Sequence, residues 1–230
     1  MFTNSKFIAI ALSTTFLVAC GGGGGGGGGA SNVSTLSFPL QTGYRAIIAN
    51  GMSKTFTISG SCTGTGSKTV AAANTAATFE GRAAFSSVST LIMTVASPCN
   101  SIAQSFTSYV DTNYVPMGMN SVGVNYGVYL TAPVVPSSVK VGDTGIIGTE
   151  NLYTNSTKTV GNGTTASSYV VTADTANTAI INLIGKIYDT SSNLTATEQD
   201  IYRIDSLGAL TPISVDILYS SGAHIVLTYN

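Results

Sequence analysis

Cys62 lies in Gly60-Ser61-Cys62-Thr63-Gly64, a spacing that can present a nucleophile on a sharp turn between a strand and a helix. Acyl transfer there would need a histidine base, an acid to orient it and a helix behind the turn. The chain has one histidine, His224, close to its end, and no helical period follows Gly64. Gly64-Thr65-Gly66-Ser67-Lys68-Thr69 has the outline of a phosphate-cradling loop, but it lacks a glycine directly before the lysine and opens no helix, so it reads as a turn. Ser137-Ser138-Val139-Lys140 has the serine-lysine spacing of some acyl enzymes. In so serine-rich a chain, that match carries little information.

Carboxylates and metal ligands are equally sparse. His224 has no second histidine or cysteine nearby in sequence, which makes a poor metal site. Asp111-Thr112-Asn113 offers oxygens to calcium without the spaced acidic loop such a site needs. Glu198 and Asp200 are two residues apart and share one face of a strand, as paired acids would. Lys186, on the preceding strand, is placed about opposite Glu198, so the expected role is a cross-strand ion pair. These readings assign no catalytic residue, no cofactor and no metal, and the chain is expected not to be an enzyme.

The first residues have the parts of an export signal: a short leader with Lys6, then an apolar run from Phe7 to Val18, too short for a spanning helix. It ends in Leu17-Val18-Ala19-Cys20, which resembles the bacterial lipobox. The resemblance implies removal of residues 1–19 and acylation of Cys20, and so a membrane partner through the lipid. Position 21 is glycine rather than aspartate, which under the same resemblance implies the outer membrane of the cell envelope. Gly21–Gly29 then forms a flexible tether with a span of roughly 15–18 Å, and residues 20–36 connect anchor to globular part.

Without Lys6, the 9 basic side chains become 8, against 10 acidic ones. No basic stripe exists, so nucleic acid is excluded as a partner. Charged residues make up 8% of the chain and hydrophobic ones 43%, which describes a packed core under a surface of Ser, Thr, Asn and Gly. With Cys20 taken by the lipid, Cys62 and Cys99 remain. In an oxidising compartment they are expected to form a disulfide.

Those sites must be positioned by β structure. Short alternating segments separated by turns recur along the chain, and no helix period stands out. The expected fold is all-β: a small β-sandwich-like unit over residues 37–119, then an antiparallel β-meander over 120–230 forming a half-barrel or barrel. Phe38 to Ile48 is expected as its first strand, and Pro116 to Asn120 as the boundary. Tyr169, Tyr188, Tyr202 and Tyr219, among eleven tyrosines, are candidates to line a ligand cavity in the meander. The function expected is a non-catalytic structural, adhesion or binding module of the envelope. The alternative is a carrier of an apolar ligand, and the partner is a protein or an apolar small molecule.

Overall fold

The computed structural model describes residues 33–230, so the leader, Cys20 and the glycine run lie outside the described residues. The elements are α1 (Leu40–Asn50), β1 (Met52–Gly60), β2 (Gly64–Val70), β3 (Thr75–Phe79), β4 (Arg82–Val95), β5 (Ile102–Val110), β6 (Pro116–Ser121) and β7 (Asn125–Tyr129). Then follow β8 (Thr144–Tyr153), β9 (Gly161–Ala173), β10 (Thr178–Tyr188), β11 (Leu194–Asp205), β12 (Leu210–Tyr219) and β13 (His224–Tyr229).

Twelve of the strands form a closed antiparallel barrel, with β3 as an extra strand. Neighbours in the barrel are neighbours in sequence, apart from β2 beside β4 and β13 beside β1. Such closure leaves the barrel path itself without an open edge, while β3, paired with β4, lies off that path. Thr, Ile and Ser are the commonest strand residues, and the alternation of buried and exposed positions assigns side chains to lumen or outer wall.

The two units expected from the sequence are one barrel. β5 pairs with β6 across the expected boundary at Met119, and β1 pairs with β13, so residues 37–119 and 120–230 complete the same wall. There is accordingly no separate sandwich. Pro116–Asn120 falls inside β6, and Asn125-Tyr126-Gly127 inside the buried strand β7. Gly64–Thr69, read as a turn, is most of β2. Thr157–Val160 is part of the β8–β9 loop, and β9 begins at Gly161.

The first expected strand is a helix. Leu40, Tyr44, Ile47 and Ile48 fall at i, i+4, i+7 and i+8, so α1 carries an apolar stripe. Gly51, with φ 72°, ends it by donating its N–H to Ile47 O at 2.8 Å. Phe38 and Leu40 are fully buried, with Tyr44 and Ile47 packed on the same cluster, so α1 fills one end of the lumen. A cylinder of about eight strands is just filled by its own side chains. Twelve strands enclose more, and α1 supplies part of the missing volume. Gly43 is what lets it seat, since a Cβ there would lie 2.0 Å from Gly208 O in the β11–β12 turn.

β2 and β3 run in line along one edge of β4, interrupted at residues 71–74. Beyond that break the β3–β4 hairpin folds over the outer wall. Phe79 stacks on Tyr109 with centroids 4.4 Å apart and leans on Tyr126 at 5.4 Å. At the hairpin tip, Glu80 accepts the Tyr126 hydroxyl at 2.6 Å and pairs with Lys158.

Candidate functional site

The lumen has two apolar ends and a polar belt between them. At the α1 end, Phe38, Leu40, Val139, Ile181, Tyr202 and Ile204 form one cluster. At the other end Phe56, Ile58, Met93, Val215, Ile225 and Leu227 form a second. There Cys62 and Cys99 are joined in the expected disulfide, Cα–Cα 6.0 Å, which ties the β1–β2 loop to the β4–β5 loop.

β11 builds most of the belt. Its lumenal positions are Ala196, Glu198, Asp200, Tyr202 and Ile204, opposite Ile187, Gly185, Leu183, Ile181 and Ala179 of β10. Glu198 and Asp200 are each 1% exposed, and all four carboxyl oxygens lack a hydrogen-bond partner among the described residues. They do share a face, as the sequence implied, but the expected pairing with Lys186 is absent. Lys186 stands opposite Thr197, so it lies on the outer face while Glu198 lies on the inner. The cation that acts on these acids is Lys68 of β2, itself buried, with half-buried Lys54 opposite it on β1.

Two acids this close, dry and unsolvated cannot both ionise cheaply. Desolvation pushes Glu198 and Asp200 upward, Asp200 adds to the rise of Glu198, and Lys68 opposes both. For Lys68 desolvation is the largest influence and favours the neutral amine. The fields of Tyr229, Asp200 and Glu198 outweigh it, and the ammonium is held. The neutral arrangement is Lys68 charged, one acid ionised and the other still protonated.

A third acid, Glu150 of β8, is 2% exposed and is pushed up to about 8 by desolvation. It stands opposite Tyr129 of β7 and Thr165 of β9. Gly127 makes room for it, because a Cβ at 127 would lie 2.3 Å from Glu150 Oε1. Beside Glu150 is a cavity of about 100 Å³ walled by Tyr44, Phe106, Tyr129, Tyr202, Ser87, Ser89 and Ser108, among others. Burial raises the Tyr44 hydroxyl, and Glu150 and Asp200 raise it further, which places all three in one electrostatic neighbourhood.

Of the candidate tyrosines, Tyr202 lines this cavity, Tyr169 packs in the α1-end cluster, and Tyr219 packs beside the disulfide. Tyr188 is half-buried at a bulge and belongs to none of the core clusters. The enzymatic motifs do not assemble. Cys62 is consumed in the disulfide, and Ser137–Lys140 lies in a loop, where Asp143 accepts the Lys140 N–H. Asp111 Oδ1 accepts the backbone N–H groups of Asn113 and Val115, closing a turn. His224 does meet an acid, Nε2 to Asp216 Oδ1 at 2.9 Å. Ser61 Oγ is engaged by the His224 backbone N–H at 2.9 Å rather than by a ring nitrogen.

The sequence signal for the belt lies in the period of β11, where Ala196, Glu198, Asp200, Tyr202 and Ile204 alternate with Thr197, Gln199, Ile201 and Arg203. Lys68 and Glu150 carry no such signal. No protein-family model, curated protein or solved structure matches the chain.

Proposed function

We propose that the protein is a lipid-tethered, non-catalytic binding module of the cell envelope, with its ligand site in the lumen of the barrel. The observation that carries this reading is the belt: Glu198 and Asp200 buried without hydrogen-bond partners among the described residues and, further along the same face of β11, Tyr202 lining a cavity bordered by Glu150. An unpartnered buried carboxyl is costly, and a barrel built for rigidity alone is better served by apolar packing there. The cavity, about 100 Å³, is small beside the roughly 300–1,000 Å³ of drug-sized sites, which favours a small polar ligand over the large apolar cargo of a carrier.

The outer wall supports an aqueous setting. Ser53, Thr55 and Thr57 of β1 and Thr65, Ser67 and Thr69 of β2 point outward in register, whereas a lipid-facing wall would be apolar. That uncharged hydroxyl surface also favours a second reading, an adhesion or structural module that uses the outside of the barrel. Attachment is assigned to Cys20 by the lipobox.

The test is native mass spectrometry of the full chain carrying Cys20→Ser, recovered from a periplasm. A small mass that is retained natively and lost on denaturation supports the lumenal reading. An empty barrel, still empty after incubation with a soluble extract of the host, shifts the weight to the outer wall. The wild-type chain should fractionate with membranes and the Cys20→Ser chain should not.

A further inference from the structure

The chemistry of the cavity lining narrows the class of ligand. Five aromatic residues converge on it from four elements: Tyr44 of α1, Phe106 and Tyr109 of β5, Tyr129 of β7 and Tyr202 of β11. Glu150 supplies the carboxyl, and neither lysine nor arginine is among the lining residues. Aromatic rings carry negative faces that attract cations, most strongly where water is excluded. An acid, several rings and no base form an environment suited to an organic cation. A bare metal ion suits it less, since no group of three or more His, Cys, Asp or Glu side chains gathers among the described residues.

We propose that this cavity binds a small organic cation, an ammonium group bearing methyl substituents, with Glu150 as its counter-ion. The proposal rests on the lumenal binding reading above. Size agrees with it. A void of about 150 Å³ accepts benzene, so one of about 100 Å³ suits a smaller group of about two or three heavy atoms, methylammonium or dimethylammonium.

Binding is coupled to a proton. The groups around Glu150 are Tyr129 and Thr165 from its flanking strands, Tyr44 from α1 and Tyr202 from β11, with Asp200 reaching Tyr44 and Lys68 engaged by Asp200 and Glu198. None of these gives Glu150 a cationic neighbour in the cavity, and desolvation keeps its proton on at neutral pH. The incoming cation supplies the missing positive charge. The carboxyl O–H bond then breaks, the proton leaves to solvent, and a carboxylate–ammonium pair remains.

The experiment is titration calorimetry of the full chain bearing Cys20→Ser with methylammonium, dimethylammonium and ethanol, an uncharged molecule of similar size. Saturable binding of an ammonium is expected, with the alcohol at least roughly tenfold weaker. Affinity should rise about tenfold per pH unit between pH 6 and about 8, one proton leaving per cation bound. Glu150→Gln should abolish both the cation binding and its pH slope while the circular dichroism spectrum is kept. Equal binding of alcohol and ammonium, or an affinity flat with pH, overturns the proposal. If no probe binds but native mass spectrometry finds another retained molecule, the cation class fails and the binding reading stands. No probe bound and nothing retained sinks both.

Discussion

The two sections of the lumen on either side of Lys68 are built on opposite principles. Toward the disulfide, Phe56, Ile58, Val215, Ile217, Ile225 and Leu227 fill space with apolar volume alone. Their strands pair in register, Phe56 with Tyr229 and Ile58 with Leu227, and the rings of Phe56 and Tyr229 meet edge to face at 5.9 Å. The change comes across the ladder to β11, where Glu198 and Asp200 stand opposite Ile217 and Val215 and polar groups replace apolar ones. The apolar section gains stability with each buried methylene. The belt is held in place by the rest of the barrel, which is the usual relation between a binding site and its scaffold.

That contrast can be tested from either side. Phe56→Ala should give the largest loss, about 3–5 kcal/mol by urea unfolding, because a 1%-exposed ring leaves a cavity that the closed wall cannot collapse around. A loss below about 1 kcal/mol would mean that the disulfide end is loosely packed. Lys68→Met should cost about 3 kcal/mol at pH 8, since Glu198 and Asp200 lose their cation, and clearly less at pH 5, where both can be protonated. Phe56→Ala has no such pH dependence. A Lys68→Met cost that is the same at both pH values would contradict the ion cluster.

The belt also sets the pH profile of the wild-type protein. Glu150 binds its proton more tightly folded than unfolded, so its contribution to stability is complete below about 4.5 and is lost as pH rises toward about 8. Glu198 and Asp200 act in the same direction. Unfolding free energy should therefore rise on going from pH 8 to pH 5, by about 1.4 kcal/mol per pH unit from Glu150, and melting temperature with it. Glu150→Gln should flatten that slope. The smallest effect belongs to the outer wall. Lys158→Gln removes a partly exposed pair with Glu80 and should cost under about 1 kcal/mol, less again in high salt.

Much of the barrel wall is legible in the sequence. Thr178–Tyr188 reads as a strand with its observed limits, and the Asp189–Asn193 loop closes the hairpin that follows. The meander order, the barrel alternative and the cysteine pair are also readable, because each rests on local period, turn residues or residue count. What is not legible depends on distant packing. In α1 the stripe of Leu40, Tyr44, Ile47 and Ile48 is obscured by Ala46-Ile47-Ile48, which reads as strand until Gly43 is seen against Gly208. Pro116 and Gly118 suggest a boundary, yet closure of β1 on β13 needs both halves in one wall. At the site, the spacing of Glu198 and Asp200 puts them on one face, but their charge argues for the outward one. Only the observed register, with Lys186 opposite Thr197, puts that face in the lumen.

The most direct test of a dry polar belt is the side-chain carboxyl titration of Glu150, followed by carbon NMR on the full chain bearing Cys20→Ser. The carboxyl signal should titrate with a midpoint near about 8 and stay in its protonated position at pH 6. A midpoint near the ordinary value of 4.5 would show a hydrated carboxylate and contradict a dry lumen at Glu150.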